Sequence, residues 1–113
     1  APFHCALMMP AQERLKGDLE SLNYSKFKFP IVHNVDAIVN DDESKVSDAL
    51  TRQVSSPVKW MQSVQTLKAA GVDTFVEIGP GKVLSGLVKQ IDRHVRILNV
   101  ENTESLRSTQ ETL

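Results

Sequence analysis

Apolar residues recur every three or four positions in the opening segment, at Leu7, Ala11, Leu15, Leu19 and Leu22. This spacing gathers them on one face and predicts an amphipathic helix, with His4 at or just before its start. The run Lys28-Phe-Pro-Ile-Val-His33 predicts a short strand, because Pro30 is tolerated near a strand's beginning and Ile31 and Val32 are β-branched. Asn34 and Asp36 predict a turn after it. From Asp41 to Val54, acidic residues open a helix whose inward stripe is Val46, Ala49, Leu50 and Val54. That helix stops before Ser55-Ser56-Pro57. Pro57 suits the first turn of a further helix, which carries Trp60, Met61, Val64 and Leu67 on one side and is capped by Gly71.

Thr74-Phe-Val-Glu-Ile78 predicts a strand, Gly79-Pro80-Gly81 a sharp turn, and Val83, Leu84, Leu87, Val88 and Ile91 the apolar face of a helix. Val95-Arg-Ile-Leu98 predicts a second strand, so the segment reads as a β-α-β unit with parallel pairing. From Thr103 the chain is polar with weak helical signal and is expected to fray. No internal repeat, low-complexity tract or interdomain linker interrupts residues 1–113. The fold class is α/β. Two or three short strands against four or five helices would leave a parallel sheet with open edges, so the chain is expected to be part of a larger α/β domain.

Thirteen basic and fourteen acidic side chains give a net charge of -1, which offers no footprint for nucleic acid or an anionic membrane. No apolar run approaches the roughly 20 residues needed to span a bilayer, and no basic-then-apolar leader is seen. The expectation is a cytoplasmic protein. One cysteine, Cys5, excludes an internal disulfide, and it forms no zinc spacing with the three histidines, so no metal site is expected.

His4 is the leading candidate for chemistry, because imidazole can take and return a proton near neutral pH. The competing reading is a helix-start cap or a satisfied polar group. Cys5 makes a poor partner, since neighbours on a helix point apart, and it reads as a buried small hydrophobe. Gly79-Pro-Gly-Lys-Val83 invites a phosphate-loop reading that fails: the glycines are too close, Val83 replaces Ser or Thr, and Pro80 removes a donor. Lys82 reads as a solvated charge and Met8 and Met9 as core filler, while His33 and His94 have no recognisable partners.

Four stretches then occur together in order: APFHCALM at 1–8, FPIVHNVD at 29–36, LTRQVSSPVKW at 50–60 and VDTFVEIGPGKVLSGLVK at 72–89. In these the chain, from Ala1 to about Asn99, resembles the C-terminal third of the malonyl-CoA:acyl carrier protein transacylase family of fatty acid synthesis. The acyltransferase domains of polyketide synthases are similar. The resemblance implies a partial α/β-hydrolase-like parallel sheet with covering helices, the C-terminal portion of the family's large subdomain, without its ferredoxin-like insert. It implies a ping-pong transfer of malonyl from coenzyme A, through a serine in a G-x-S-x-G elbow, to the phosphopantetheine thiol of acyl carrier protein. His4 matches the family's catalytic histidine, and Gln53 matches the position whose backbone carbonyl holds that histidine's ring. Phe3 matches a residue that tracks acyl choice, a bulky ring there going with malonyl. No cofactor is implied, coenzyme A thioester being a substrate. No G-x-S-x-G occurs among the 113 residues, so the isolated chain is expected to be inactive and to need the upstream portion of the same enzyme. Two other readings stay open here: a noncatalytic truncated module that binds a partner, and an acyltransferase with a different acyl group.

Overall fold

The computed structural model describes residues 2–113, which fall into two compact units that divide between Leu67 and Lys68. In the first, a 3-10 turn at Ala6–Met8 leads into α1, Met9–Ser21, with Pro10 in its first turn, where a missing N–H costs nothing. No residue of α1 is buried, and Leu7 and Leu22 remain largely exposed. β1, Ile31–Val32, pairs antiparallel with β2, Val39–Asn40, setting Ile31 opposite Asn40 and Val32 opposite Val39. The strand expected over 28–33 is therefore shortened to two residues. Pro30 cannot donate to a ladder, and Phe29 is exposed. The return strand β2 is not signalled by the apolar pattern.

The helix expected over 41–54 begins as a 3-10 turn at Glu43–Lys45, where the Asp42 side chain accepts from the Ser44 N–H, and continues as α2, Val46–Gln53. Val46 and Ala49 are buried as the stripe predicts, whereas Leu50 and Val54 are half-buried. α3 runs Trp60–Ala69 and does not start at Pro57. The Lys59 N–H is committed to the Asn34 carbonyl at 2.9 Å, and the Ser55 hydroxyl donates to Gln12 Oε1, so residues 57–59 stay non-helical. Val35, Ala37, Val46, Ala49 and Val64 form the apolar core of this unit. Of the polar side chains buried in this unit, Thr51 Oγ1 donates to the Ser47 carbonyl and Ser63 Oγ to the Lys59 carbonyl, whereas Asn34 Oδ1 and Trp60 Nε1 meet no partner.

In the second unit, β3, Thr74–Ile78, and β4, Arg96–Val100, pair in parallel with Thr74 opposite Arg96 and Ile78 opposite Val100. α4, Val83–Ile91, makes the crossover and packs on both strands. The expected β-α-β unit is present, with β4 beginning one residue later and running to Val100. The segment from Thr103, expected to fray, is instead a helix, α5, Thr103–Thr112. Asn102 accepts from the Ser105 N–H while the Ser105 hydroxyl accepts from the Asn102 N–H, a capping box that satisfies donors at both positions. Thr109 is buried against β4, donating to the Asn99 carbonyl at 3.2 Å. The architecture is mixed α/β, with five α-helices and two small sheets among the described residues. None of these helices is long and apolar enough to cross a membrane.

Candidate active site

His4 sits immediately before the 3-10 turn with φ 54, in the left-handed region that a non-glycine residue enters at a cost of order 1–3 kcal/mol. The Cys5 thiol, half-buried and not fully buried as expected, donates to the Pro2 carbonyl at 3.2 Å and closes the same bend. Across 49 residues of sequence, His4 Nδ1 lies 2.9 Å from the Gln53 carbonyl oxygen. A carbonyl can only accept, so Nδ1 carries a proton, and in the neutral ring Nε2 is left with the lone pair. The side chain is exposed, leaving that nitrogen accessible.

Gln53 is the last residue of α2, and the last four carbonyls of a helix have no intrahelical partner. Four residues on, where a continuing helix would supply an N–H, the chain has Pro57, which has none. Just before Gln53, Arg52 donates through Nη1 and Nη2 to the two oxygens of Asp36 at 2.8 and 2.7 Å, and through Nε to Asp48 at 2.7 Å. The Arg52 hydrogen bonds hold the Asp36 carboxyl below its ordinary range, and Asp36, then Asp48, push the guanidinium pKa further up. These residues line one side of a cavity of about 150 Å³ that also meets His33 and Asn40.

His33 is buried and has a partner that the sequence does not signal. The Asn40 Oδ1 accepts from the Asp42 N–H at 2.9 Å, which turns its amide nitrogen towards His33 Nε2 at 3.3 Å. Burial lowers the His33 pKa, with Asp36 opposing and Arg52 adding to the shift, so this ring is a neutral core group. His94 is also partnered, its backbone N–H donating to Asp92 Oδ1 at 2.8 Å. Phe3 is 65% exposed beside His4. Met8 is half-buried and Met9 exposed, so neither is core filler.

The Gly79–Val83 loop has positive φ at Gly79 and Gly81, 138 and 85, which only glycine adopts without strain. Several of the N–H donors in this loop and at the start of α4 are already taken. Glu77 accepts from the Leu84 and Ser85 N–H groups at 3.1 and 2.8 Å and from the Ser85 hydroxyl, and Glu101 accepts from the Gly81 N–H at 3.0 Å. A carboxylate of the chain itself therefore occupies the place an anion would take. Bonds from Ser85 lower the Glu77 pKa, and the Lys68 side chain lowers that of Asp92 to about 2. Groups with folded pKa values below their unfolded ones stabilise above the ordinary carboxylate range and lose that contribution as pH falls through it. The second unit should accordingly lose stability between about pH 5 and 2. Glu77→Gln should flatten that decline in thermal melts recorded across this range, and an unchanged acid slope would refute the role given to Glu77.

Among the described residues, no group of three or more His, Cys, Asp or Glu side chains is placed to hold a metal ion. No family model matches the chain. It is 41% identical over 112 residues to the malonyl CoA-acyl carrier protein transacylase of Bacillus subtilis, covering 99% of this chain and 35% of that protein. The crystal structure of MCAT from Streptococcus pneumoniae superposes with a TM-score of 0.90 at 41% identity, over 100% of this chain and 37% of that one. A malonyl-transacylase in complex with its type II PKS acyl-carrier protein gives a TM-score of 0.90 at 38% identity, again over 100% and 37%. The chain thus spans about a third of the length of the relatives it matches.

Proposed function

Because the chain is a homologue of the malonyl CoA-acyl carrier protein transacylases, belonging to their family over about a third of their length, we propose that it forms the histidine-bearing part of a malonyltransferase. The fold assigned to the complete molecule is an α/β-hydrolase-like core, of which β3, α4 and β4 supply one parallel unit. Exposed Ile78, 81%, and Val83, 73%, at the end of β3 and the start of α4 support burial against further structure. The upstream portion of the same enzyme is the proposed source of the nucleophilic serine.

The reading rests on one observation, the His4 Nδ1 to Gln53 carbonyl hydrogen bond that leaves Nε2 as a free acceptor. In the proposed reaction Nε2 takes the serine proton as oxygen attacks the thioester carbonyl of malonyl-CoA. The imidazolium returns that proton to the departing coenzyme A thiolate. The same two steps in reverse order of thiols load acyl carrier protein: its phosphopantetheine thiol gives a proton to Nε2, attacks the acyl-serine, and the serine oxygen is reprotonated. The Gln53 carbonyl keeps the ring in one tautomer and stabilises the cation, a task many hydrolases give to a carboxylate. Phe3 is assigned to acyl selection, its ring crowding the position of an α-methyl branch.

The test is intact-mass analysis of the complete enzyme after brief exposure to malonyl-CoA, followed by addition of holo acyl carrier protein. A malonyl adduct on a serine outside residues 1–113, discharged to the carrier, is the expected result. Failure to form the adduct or to discharge it would overturn the assignment. In the same assay Phe3→Ala should raise loading from methylmalonyl-CoA relative to malonyl-CoA by about tenfold, since one methyl group in a pocket is worth ~1–3 kcal/mol.

A further inference from the structure

We propose that the Asp36–Arg52 fork is a positioning device for His4, aiming the Gln53 carbonyl at the imidazole so that the proton stays on Nδ1. The proposal rests on the acyltransferase reading of His4. It begins with what frees the carbonyl: Gln53 ends α2, and Pro57 has no N–H with which a further helical turn could engage it. A free carbonyl at a helix end can swing with the fraying of the last turn. Here that turn is tied down one residue earlier. Arg52 reaches Asp36 through two parallel N–H···O bonds and Asp48, one turn back, through Nε.

A two-pronged guanidinium–carboxylate contact fixes orientation as well as distance, which a single ammonium contact does not. Its far end is itself rigid. Asp36 lies in the turn after β1, where the Ala37 N–H donates to the His33 carbonyl at 2.9 Å, Ala37 holds φ 57, and the Thr66 hydroxyl donates to the Ala37 carbonyl at 2.6 Å. The Arg52 and Asp36 side chains are 41% and 31% exposed, a setting in which ion pairs contribute little to stability. Orientation of the helix end is what the fork supplies. The proton on His4 then follows from Gln53 geometry, and Gln53 geometry from Arg52.

Asp36→Asn and Arg52→Lys in the complete enzyme should each lower kcat roughly 10- to 100-fold through misplacement of the base. KM for malonyl-CoA should stay within about twofold, since neither residue touches substrate in the proposed scheme. In the enzyme labelled with ¹⁵N-histidine, the His4 ring signals should move from a single Nδ1–H tautomer to a mixture, and Asp36→Glu, which can rebuild the fork, should recover most of the rate. Should Asp36→Asn fail to fold, Arg52→Lys, which keeps the charge and the helix, carries the test. Wild-type kcat and wild-type His4 ring signals in Arg52→Lys would overturn the positioning role even if His4→Ala is inactive. Normal transfer by His4→Ala would instead overturn the reading on which the proposal stands.

Discussion

Replacing His4 by alanine in the complete enzyme should lower kcat for malonyl transfer by about a thousandfold, the middle of the range for removing a general acid–base group. At about 1.4 kcal/mol per tenfold, this is a loss of ~4 kcal/mol of transition-state stabilisation. The size follows from the two jobs proposed for Nε2 in each half-reaction. Without it, in the proposed scheme, the serine proton would have no positioned acceptor and the coenzyme A thiolate would leave without a proton. Gln53→Ala gives the sharper comparison. Gln53 meets His4 Nδ1 through its main-chain oxygen, so truncating its side chain should cost less than about tenfold, whereas a side-chain acceptor would cost as much as losing the tautomer itself. Steady-state assays of the two variants side by side measure this directly. A His4→Ala enzyme within tenfold of wild type, or a Gln53→Ala enzyme as inactive as His4→Ala, would contradict the arrangement.

The elements that could be read from the sequence are those whose local chemistry and tertiary role agree. Thr74–Ile78 is β-branched and aromatic, is bounded by Asp73 and Gly79, and is a strand over those five residues. The helix after Gly81 is strongly apolar on one side and is present as expected. Where two roles compete for one residue, sequence favours the commoner. Pro57 reads as a helix start because proline is frequent there, yet it follows α2 at the position where it frees a carbonyl. α5 is hard to read from the sequence for the opposite reason. Its apolar residues are few, with Leu106 the main one, and the signal lies in Asn102 and Ser105, a pair three apart in the spacing of a capping box.

The site was legible only in part, for a physical reason. A backbone carbonyl leaves no mark in the sequence, so nothing in Gln53 as a residue type announces an acceptor for a ring 49 positions away. The resemblance implied that contact, and composition and periodicity could not. Asp36, Arg52 and Asp48 are ordinary charges in sequence and become a network only when the turn after β1 meets the end of α2. The helical spacing of Asp48 and Arg52 was available as an i, i+4 pair. Its partner 16 residues upstream was not.

Val64→Asp should unfold the first unit. Val64 on α3 is 1% exposed, the most completely buried large side chain of the described chain. Val64→Ala removes two methyl groups at about 0.8 kcal/mol each and leaves a small cavity, for a total of about 2 kcal/mol. Val64→Asp loses the same contacts and in addition sets a carboxyl at a position that is 1% exposed, where a charge without a partner costs ~4 kcal/mol or more. That is a large share of the roughly 5–15 kcal/mol that holds a domain folded. Phe29→Asp is the control, since Phe29 is 78% exposed in the same unit and its replacement should stay within about 0.5 kcal/mol. Trp60, the single tryptophan, begins α3 one turn before Val64 and reports the transition in urea by fluorescence. The expected order of midpoints is Phe29→Asp near wild type, Val64→Ala clearly lower, and Val64→Asp without a cooperative transition. Equal midpoints for all three would mean that α3 does not pack through Val64.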